Sequence, residues 1–216
     1  MKHNRTTQSN RVLRYILASQ SPRRKELMAQ AGFTFDIRVA TGEEVISGTD
    51  PVQTVLELSA QKAEEVLAKI CETESKDQET VFVVIGADTV VACDGKILGK
   101  PEGADEAVEM IHLLQGRTHR VYTGVTVCAY DGLRGTTDTV SFYEGTEVEV
   151  FPMTEEEIEA YVSSEETYDK AGGYGIQGSF GVYIKGIHGD YNNVVGLPLA
   201  RLYQELKQRD LLCENK

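Results

Sequence analysis

Two adjacent arginines in the first turn of a helix set up an electrostatic conflict that an anion would relieve. Ser19-Gln20-Ser21-Pro22-Arg23-Arg24 reads as an N-cap followed by proline at the first helical position. Free backbone N–H groups and the positive end of the dipole already favour a negative charge there. With Ser19, Arg23 and Arg24 in place the segment could cradle a triphosphate; solvated surface charge is the plainer alternative. Asp88 is the second candidate. It follows the continuous apolar run Val81 to Ala87 (VFVVIGA), and ligands gather at the carboxyl ends of strands in open α/β sheets. A carboxylate there can bind a cation or activate water, or simply close a turn. Glu43 and Glu44 follow another expected strand, and either could join Asp88 around a divalent ion, because hard cations take oxygen ligands and bridge them to phosphates. As isolated acids they would be ordinary surface residues.

Lys62 lies seven residues after Val55 and four before Val66, at the edge of an apolar helical stripe. It either snorkels along the helix or neutralises a phosphate. Lys100, in Leu98-Gly99-Lys100-Pro101, lies just beyond a hairpin after Asp88 and could reach the same pocket. The loop Gly173-Tyr174-Gly175-Ile176-Gln177-Gly178 matches G-x-G-x-x-G, but a dinucleotide site needs a strand before the motif and a helix after it. Here a capped acidic helix precedes it and strand-like residues follow, so a dinucleotide oxidoreductase is disfavoured. The glycines could instead let backbone approach a nucleotide while the Gln177 amide reads a base edge; a tight structural loop with Tyr174 and Ile176 packed inward is the alternative. Gly178-Ser179-Phe180-Gly181 is one residue short of a G-x-S-x-G elbow, and no G-x-x-x-x-G-K-[ST] is present. Serine hydrolase and P-loop chemistries are thereby set aside.

These side chains need positioning elements, and the pattern supplies them. Tyr15 to Ser19 predicts a short strand, Ser21-Pro22 opens a helix ending at Gly32, and Phe33 to Val39 alternates as a second strand. Asp50, Pro51 and Gln53 start a long amphipathic helix carrying Val55, Ser59, Ala63, Val66, Leu67 and Ile70. A polar loop from Glu72 to Thr80 leads into Val81 to Ala87, a strand covered on both faces and hence central. Asp94-Gly95 signals a hairpin, Ala104 to Leu114 a helix with Gly116 past its end, and Thr118 to Tyr130 and Thr139 to Val150 two strands. Thr154 with Glu157 makes a capping box for a helix through Val162, a glycine-rich loop spans Ala171 to Gly181, Val182 to Ile187 is strand-like, and a last helix follows Pro198. The class is α/β with a mixed sheet.

With 216 residues, 41% of them hydrophobic, the chain can bury a core in one domain or one domain with two lobes. Residues 1–13 are expected as a disordered polar lead before one catalytic domain over 14–212. No apolar stretch there suits a signal peptide, and none of about 18 residues or more suits a spanning helix, so the chain is read as cytoplasmic with no membrane partner. Its 22 basic against 34 acidic side chains give a net charge of -12, which repels nucleic acid and confines phosphate binding to a local basic pocket. Cys71, Cys93, Cys128 and Cys213 are scattered, as are the four histidines; no zinc spacing results and free thiols are expected.

Taken in order, LASQSPRR at 17–24, GEE at 42–44, KA at 62–63, GADT at 86–89, GKP at 99–101, TGV at 123–125, DKAGGYGIQG at 169–178 and VVGLP at 194–198 resemble the Maf family, also called septum formation inhibitor proteins. The resemblance implies an elongated mixed β-sheet flanked by helices in an ITPase-like α/β fold, a central cleft between two lobes, and a homodimer. It implies a nucleoside triphosphate pyrophosphatase releasing monophosphate and pyrophosphate, with Asp88 as general base or metal-activating carboxylate. Ser19, Arg23, Arg24, Lys62 and Lys100 would contact phosphates, and Glu43 or Glu44 would help Asp88 hold Mg²⁺ or Mn²⁺. The family's dTTP/UTP branch carries the residues found here as Arg23, Thr89 and Gln177, whereas the branch acting on 7-methyl-GTP differs there. Gly172-Gly173 departs from the family's more frequent Gly-Ala and is expected to loosen the loop, and the 72–80 segment is longer than the family pattern. The rival reading is a non-catalytic nucleotide-binding regulator of cell division.

Overall fold

The computed structural model describes residues 12–74, 77–164 and 166–213. Its organising element is β3 (Thr80–Cys93), which does not stop where the apolar run stops but continues through Asp88 and Thr89. The continuation is held by β5 (Thr118–Asp131), which pairs antiparallel with β3 from Val81↔Asp131 to Ala92↔Arg120. Side-chain polarity alone could not show this, because a ladder partner satisfies backbone groups whatever the side chains are. On the opposite edge, β1 (Val12–Leu17) runs parallel to Thr80–Ile85, and the short β4 (Lys96–Leu98) pairs with Val91–Cys93 across the Asp94-Gly95 turn. Residues 86–90 therefore have no strand beside them on that edge. The result is a notch in the middle of the sheet, and Asp88 and Thr89 line it.

Outside this frame, β2 (Phe35–Ile37) adds parallel to β1, and β6 (Thr136–Val150) and β7 (Ile184–His188) add antiparallel beyond β5, giving the order β2-β1-β3-β5-β6-β7 with β4 on β3. This is the expected elongated mixed sheet with flanking helices. Two apolar cores flank the notch. One gathers α1 (Pro22–Gln30) and α6 (Leu199–Gln208) through Leu27, Met28, Leu202 and Leu206 against Leu17, Val83 and Ile85. The other gathers α3 (Ala104–Leu114) and α4 (Glu155–Val162) through Ile111, Leu114 and Ile158 against Val91, Val121 and Val148. The expected two lobes are these two cores.

Most boundaries follow the sequence signals, and the departures have physical causes. α4 carries the reciprocal Thr154–Glu157 capping box. The Ser21 hydroxyl accepts from Arg24 N–H at the start of α1, whose first turn holds no acid. A five-residue helix, α5 (Tyr191–Val195), is too short to show periodicity and was not anticipated. In the polar 72–80 stretch the preceding helix runs on to Glu74 and β3 begins at Thr80, while Ser75 and Lys76 lie outside the described residues. The expected disordered lead is shortened: Val12 and Leu13 belong to β1, because pairing with Thr80 and Val81 orders them, and residues 1–11 lie outside the described residues.

The long helix α2 (Pro51–Glu74) covers the other face of the sheet, burying Ala63, Val66 and Ile70 against Ile16, Phe82 and Val84. It sits unusually close. A Cβ added to Gly86 would fall 2.3 Å from the Ser59 carbonyl oxygen, and one added to Gly124 would fall 2.3 Å from that of Val55. Replacing either glycine by alanine must lift the helix off the sheet, with an overpacking cost of about 1–3 kcal/mol. Urea unfolding should show that loss for Gly86→Ala and for Gly124→Ala. Gly186→Ala, where nothing lies within 4 Å, should stay within about 0.5 kcal/mol of the parent.

Candidate active site

The notch opens into a cleft of about 830 Å³. Ser19, Arg23, Arg24, Glu44, Lys62, Asp88, Thr89, Lys100 and Gln177 all line it, brought together from six separate stretches of chain. Glu43 does not line it, whereas Glu44 does and pairs with Lys62. Of the two acids expected near the metal, the cleft receives the side chain of Glu44.

Successive residues of β3 face opposite ways, so Asp88 and Thr89 serve different sides of the notch. Asp88 is registered against Gly124, over which α2 lies. That approach lets the Lys62 ammonium reach down from α2 to the Asp88 carboxylate while also pairing with Glu44 at 2.9 Å. Lys62 is thus the cation between two carboxylates, on the cleft side of the helix. Glu44 is delivered by a loop whose backbone is held by α2 side chains spaced four apart. Glu65 accepts from the N–H groups of Thr41 (2.8 Å) and Gly42 (3.0 Å), Gln61 exchanges bonds with Val45, and Glu57 accepts from Ser47 N–H at 2.9 Å. The Lys69 ammonium and these N–H groups hold the Glu65 carboxyl down at about 2, so it stays an acceptor at physiological pH. A Cβ on Gly42 would come 2.9 Å from Glu65 Oε2, so the glycine lets this carboxylate close on the loop.

On the other face Arg24 is the hub. Its guanidinium donates from Nε to Gly196 O (2.8 Å), from Nη1 to Ser19 Oγ (3.1 Å) and from Nη2 to Thr89 Oγ1 (3.0 Å). Burial lowers its pKa, opposed by the nearby charge of Asp88; an arginine nonetheless keeps its charge. Arg23 takes a different partner, donating to Asp169 Oδ2 at 2.9 Å and to the Asp169 carbonyl at 3.3 Å. Asp169 is held below its usual range even though burial pushes it up, because Lys170 and Arg23 both donate to it. This ties the α1 start to the glycine-rich loop that carries Gln177. Lys100 is placed by the same loop, since Gly172 N–H donates to the Gly99 carbonyl at 2.8 Å.

The glycines of that loop have separate reasons. Gly172 and Gly173 both adopt φ of 70°, and a Cβ on Gly172 would strike Val91 at 2.9 Å. The second glycine relaxes a left-handed residue that an alanine would strain, so the departure from Gly-Ala fits the conformation found. Tyr174 is buried beneath the loop, its hydroxyl 2.6 Å from His119 Nε2.

The family model described as Maf-like protein matches residues 14–209. The chain belongs to the Maf family. It is 54% identical over 197 residues to a dTTP/UTP pyrophosphatase of Agathobacter rectalis, covering 89% of this chain and 96% of that protein. It is 48% identical over 197 residues to a dTTP/UTP pyrophosphatase of Bacillus cereus, covering 91% and 95%. A solved HAM1 protein from Coxiella burnetii aligns over 91% of this chain and 100% of that one with a TM-score of 0.40 and 14% identity.

In this Maf chain several site-forming residues escaped the sequence reading. Asp169, Lys170 and Gly196 line the cleft, and Thr123 and Asn193 stand behind it, with Thr123 Oγ1 2.9 Å from Thr89 Oγ1 and donating to the Asn193 carbonyl at 3.0 Å. Only the positions of Asp169, Thr123 and Val194 to Pro198 within family-like motifs marked them. Among the described residues no group of three or more His, Cys, Asp or Glu is gathered as a metal site; the carboxylates at the cleft are Asp88 and Glu44, which share Lys62, and Asp169, which pairs with Arg23. No helix among the described residues is long and apolar enough to cross a membrane.

His119 gives this architecture a pH signature. Burial lowers its pKa to about 4, and its Nδ1 has no partner. The unfolded chain therefore takes up this proton first as pH falls, so the stability contribution is full above about 6.5 and is lost as pH drops toward 4. Denaturation at successive pH values should show wild type losing on the order of 3 kcal/mol more over that window than His119→Gln does.

Proposed function

We propose that this Maf chain hydrolyses dTTP and UTP to the monophosphate and pyrophosphate, by water attack at the α-phosphorus. The observation that carries the reading is the placement of a held carboxylate, Asp88, in a cleft that Ser19, Arg23, Arg24, Lys62 and Lys100 also line. A pure polyanion binder has little use for acids beside its cations, which favours chemistry over a non-catalytic regulator. The names of the relatives, together with Arg23, Thr89 and Gln177, support the pyrimidine nucleotides.

The cleft suits a divalent cation by its donor chemistry. The Lys62 ammonium engages one oxygen each of Asp88 and Glu44, and the remaining carboxylate oxygens would hold a hard cation such as Mg²⁺ or Mn²⁺, which takes one or two carboxylates plus substrate phosphate oxygens. Such an ion supplies positive charge to the phosphates and acidifies water. Within the chain itself, Asp88 accepts a proton from the attacking water, and Lys62 keeps the paired carboxylates from repelling the polyanion. Ser19 donates to a phosphate oxygen. The cations Arg23, Arg24 and Lys100 neutralise charge on the departing pyrophosphate, the two arginines held in place before the reaction by Asp169 and by Ser19, Thr89 and Gly196 and so without reorganisation during it. The setting proposed is the cytoplasm, where free thiols at Cys71, Cys93, Cys128 and Cys213 persist. A homodimer, as the family resemblance implies, acts on free nucleotides, the net charge of -12 disfavouring nucleic acid.

Purified protein incubated with dTTP, UTP, CTP, GTP, ITP or 7-methyl-GTP and Mg²⁺ or Mn²⁺ should release pyrophosphate from dTTP and UTP. Orthophosphate would overturn the α-phosphorus mechanism, preference for 7-methyl-GTP the branch, and tight binding without product the enzyme reading itself. Asp88→Asn should lower kcat by about 10²–10⁴-fold while nucleotide binding by calorimetry persists; wild-type turnover in that variant removes Asp88 from the chemistry.

A further inference from the structure

Two hydroxyls flank the Arg24 guanidinium, and their hydrogen bonds give them opposite polarity toward the cleft. Ser19 Oγ accepts from Arg24 Nη1 at 3.1 Å and from Ser21 N–H at 3.2 Å. A serine hydroxyl has two lone pairs and one proton, so both lone pairs are engaged and the proton is left to offer. Thr89 is the reverse case. Thr123 Oγ1 donates to the Asn193 carbonyl at 3.0 Å, and a carbonyl can only accept. With its one proton used, Thr123 must accept from Thr89 at 2.9 Å. Thr89 in turn accepts from Arg24 Nη2 at 3.0 Å, which leaves it one lone pair and no proton.

The chain of bonds behind Thr89 is closed against rearrangement. Thr123 and Asn193 are fully buried. The Asn193 amide donates to Val121 O and to Thr146 Oγ1, each at 3.0 Å, and Thr146 donates onward to the Asp190 carbonyl at 3.0 Å. In front of Thr89 lies the cleft, with Gly196 bringing no side chain beside the hydroxyl; a Cβ there would stand in van der Waals contact, 3.6 Å from Thr89 Oγ1.

We propose that Thr123, backed by Asn193, is a positioning residue that locks the Thr89 hydroxyl as an acceptor, so that the cleft selects a nucleoside presenting a hydrogen-bond donor at that point. The inference rests on the cleft being a nucleoside triphosphate site. Ser19 then meets a phosphate oxygen, which can only accept, and Thr89 meets an N–H or O–H. Uracil and thymine offer such a donor in the ring imide, and the sugar offers one in its hydroxyls. A ligand with only acceptors at that point would leave the Thr89 lone pair facing another lone pair, and a site built for one polarity rejects the other strongly.

Binding, not turnover, tests this. Calorimetry would compare the α,β-methylene triphosphates of uridine, cytidine and 2′,3′-di-O-methyluridine, the second replacing the imide donor by a ring-nitrogen acceptor and the third the sugar donors by ether oxygens that only accept. Wild type should bind one of the two donor-deficient analogues about tenfold or more weakly, and which one identifies the source of the donor. Thr123→Val frees the Thr89 proton and should shrink that ratio to about twofold or less, while Thr123→Ser restores it; a side chain that served only packing would leave the ratio unchanged. Thr89→Val, which leaves the bonds from Thr123 onward in place, should abolish the ratio as well and covers the case in which Thr123→Val does not fold. Equal wild-type binding of all three analogues, or a wild-type ratio in folded Thr123→Val or Thr89→Val, overturns the polarity. Failure to bind any of the three overturns the nucleotide reading beneath it, a result distinguishable from equal binding.

Discussion

Fixing a half-buried guanidinium before any substrate arrives is the constraint around which the cleft is arranged. Desolvation of Arg24 is unfavourable, and a buried charge is tolerated only where its donors are met and opposite charge is near. Three acceptors meet it, from the β1–α1 turn (Ser19), the middle of β3 (Thr89) and the end of α5 (Gly196). Each lies on a different element, so the position of α1 on the sheet, the length of β3 and the short helix α5 are fixed relative to one another by one side chain. Asp88 contributes the opposing charge from the far side of the strand. A cation confined in this way has no freedom left to lose when a polyanion binds, which makes the site preorganised.

The acidic side of the cleft is built by a different device, backbone proximity. Gly86 and Gly124 remove the side chains that would hold α2 away, and Lys62 can then span from helix to strand. The loop bearing Glu44 is set by acceptors recurring every four residues along α2, a spacing that puts them in one row on the helix surface. Gln53 donates to Ser47 Oγ at 2.8 Å and continues the row that Glu57, Gln61 and Glu65 form. The loop thus needs no ladder of its own, and the bonds these side chains accept outweigh their partial desolvation, since Glu57 and Glu65 are both held below the usual carboxylate range.

This division explains what could be read from the sequence. Local signals were legible: the Ser21-Pro22 helix start, the Thr154–Glu157 capping box and the Asp94-Gly95 turn all fall where composition places them. So were the charged residues Arg23, Arg24 and Asp88 of the cleft, since a pair of arginines in a first turn and an acid at the end of VFVVIGA violate the local preferences of their elements. What could not be read depends on distant partners. The extension of β3 past Ala87 requires β5, the roles of Thr123 and Asn193 require their register opposite Thr89 and beneath α5, and the distinction between Glu43 and Glu44 requires the row of acceptors on α2. Val12 and Leu13 become strand only because Thr80 and Val81 lie beside them.

Chemistry and recognition meet at a single peptide bond. Asp88 points to α2 and its lysine, Thr89 to Arg24 and the buried hydroxyl chain, because neighbouring residues of a strand face opposite ways. A slip of one residue in β3 would exchange the two faces, putting the carboxylate against the threonine network and the hydroxyl against Lys62. The pairing of β3 with β5 over twelve consecutive residue pairs is what forbids this. Its two close-approach glycines, one on each strand, add a second check, since a slipped register would bring a side chain under the α2 backbone. The same contact that packs the helix therefore also fixes which residue can act on water and which can read the ligand.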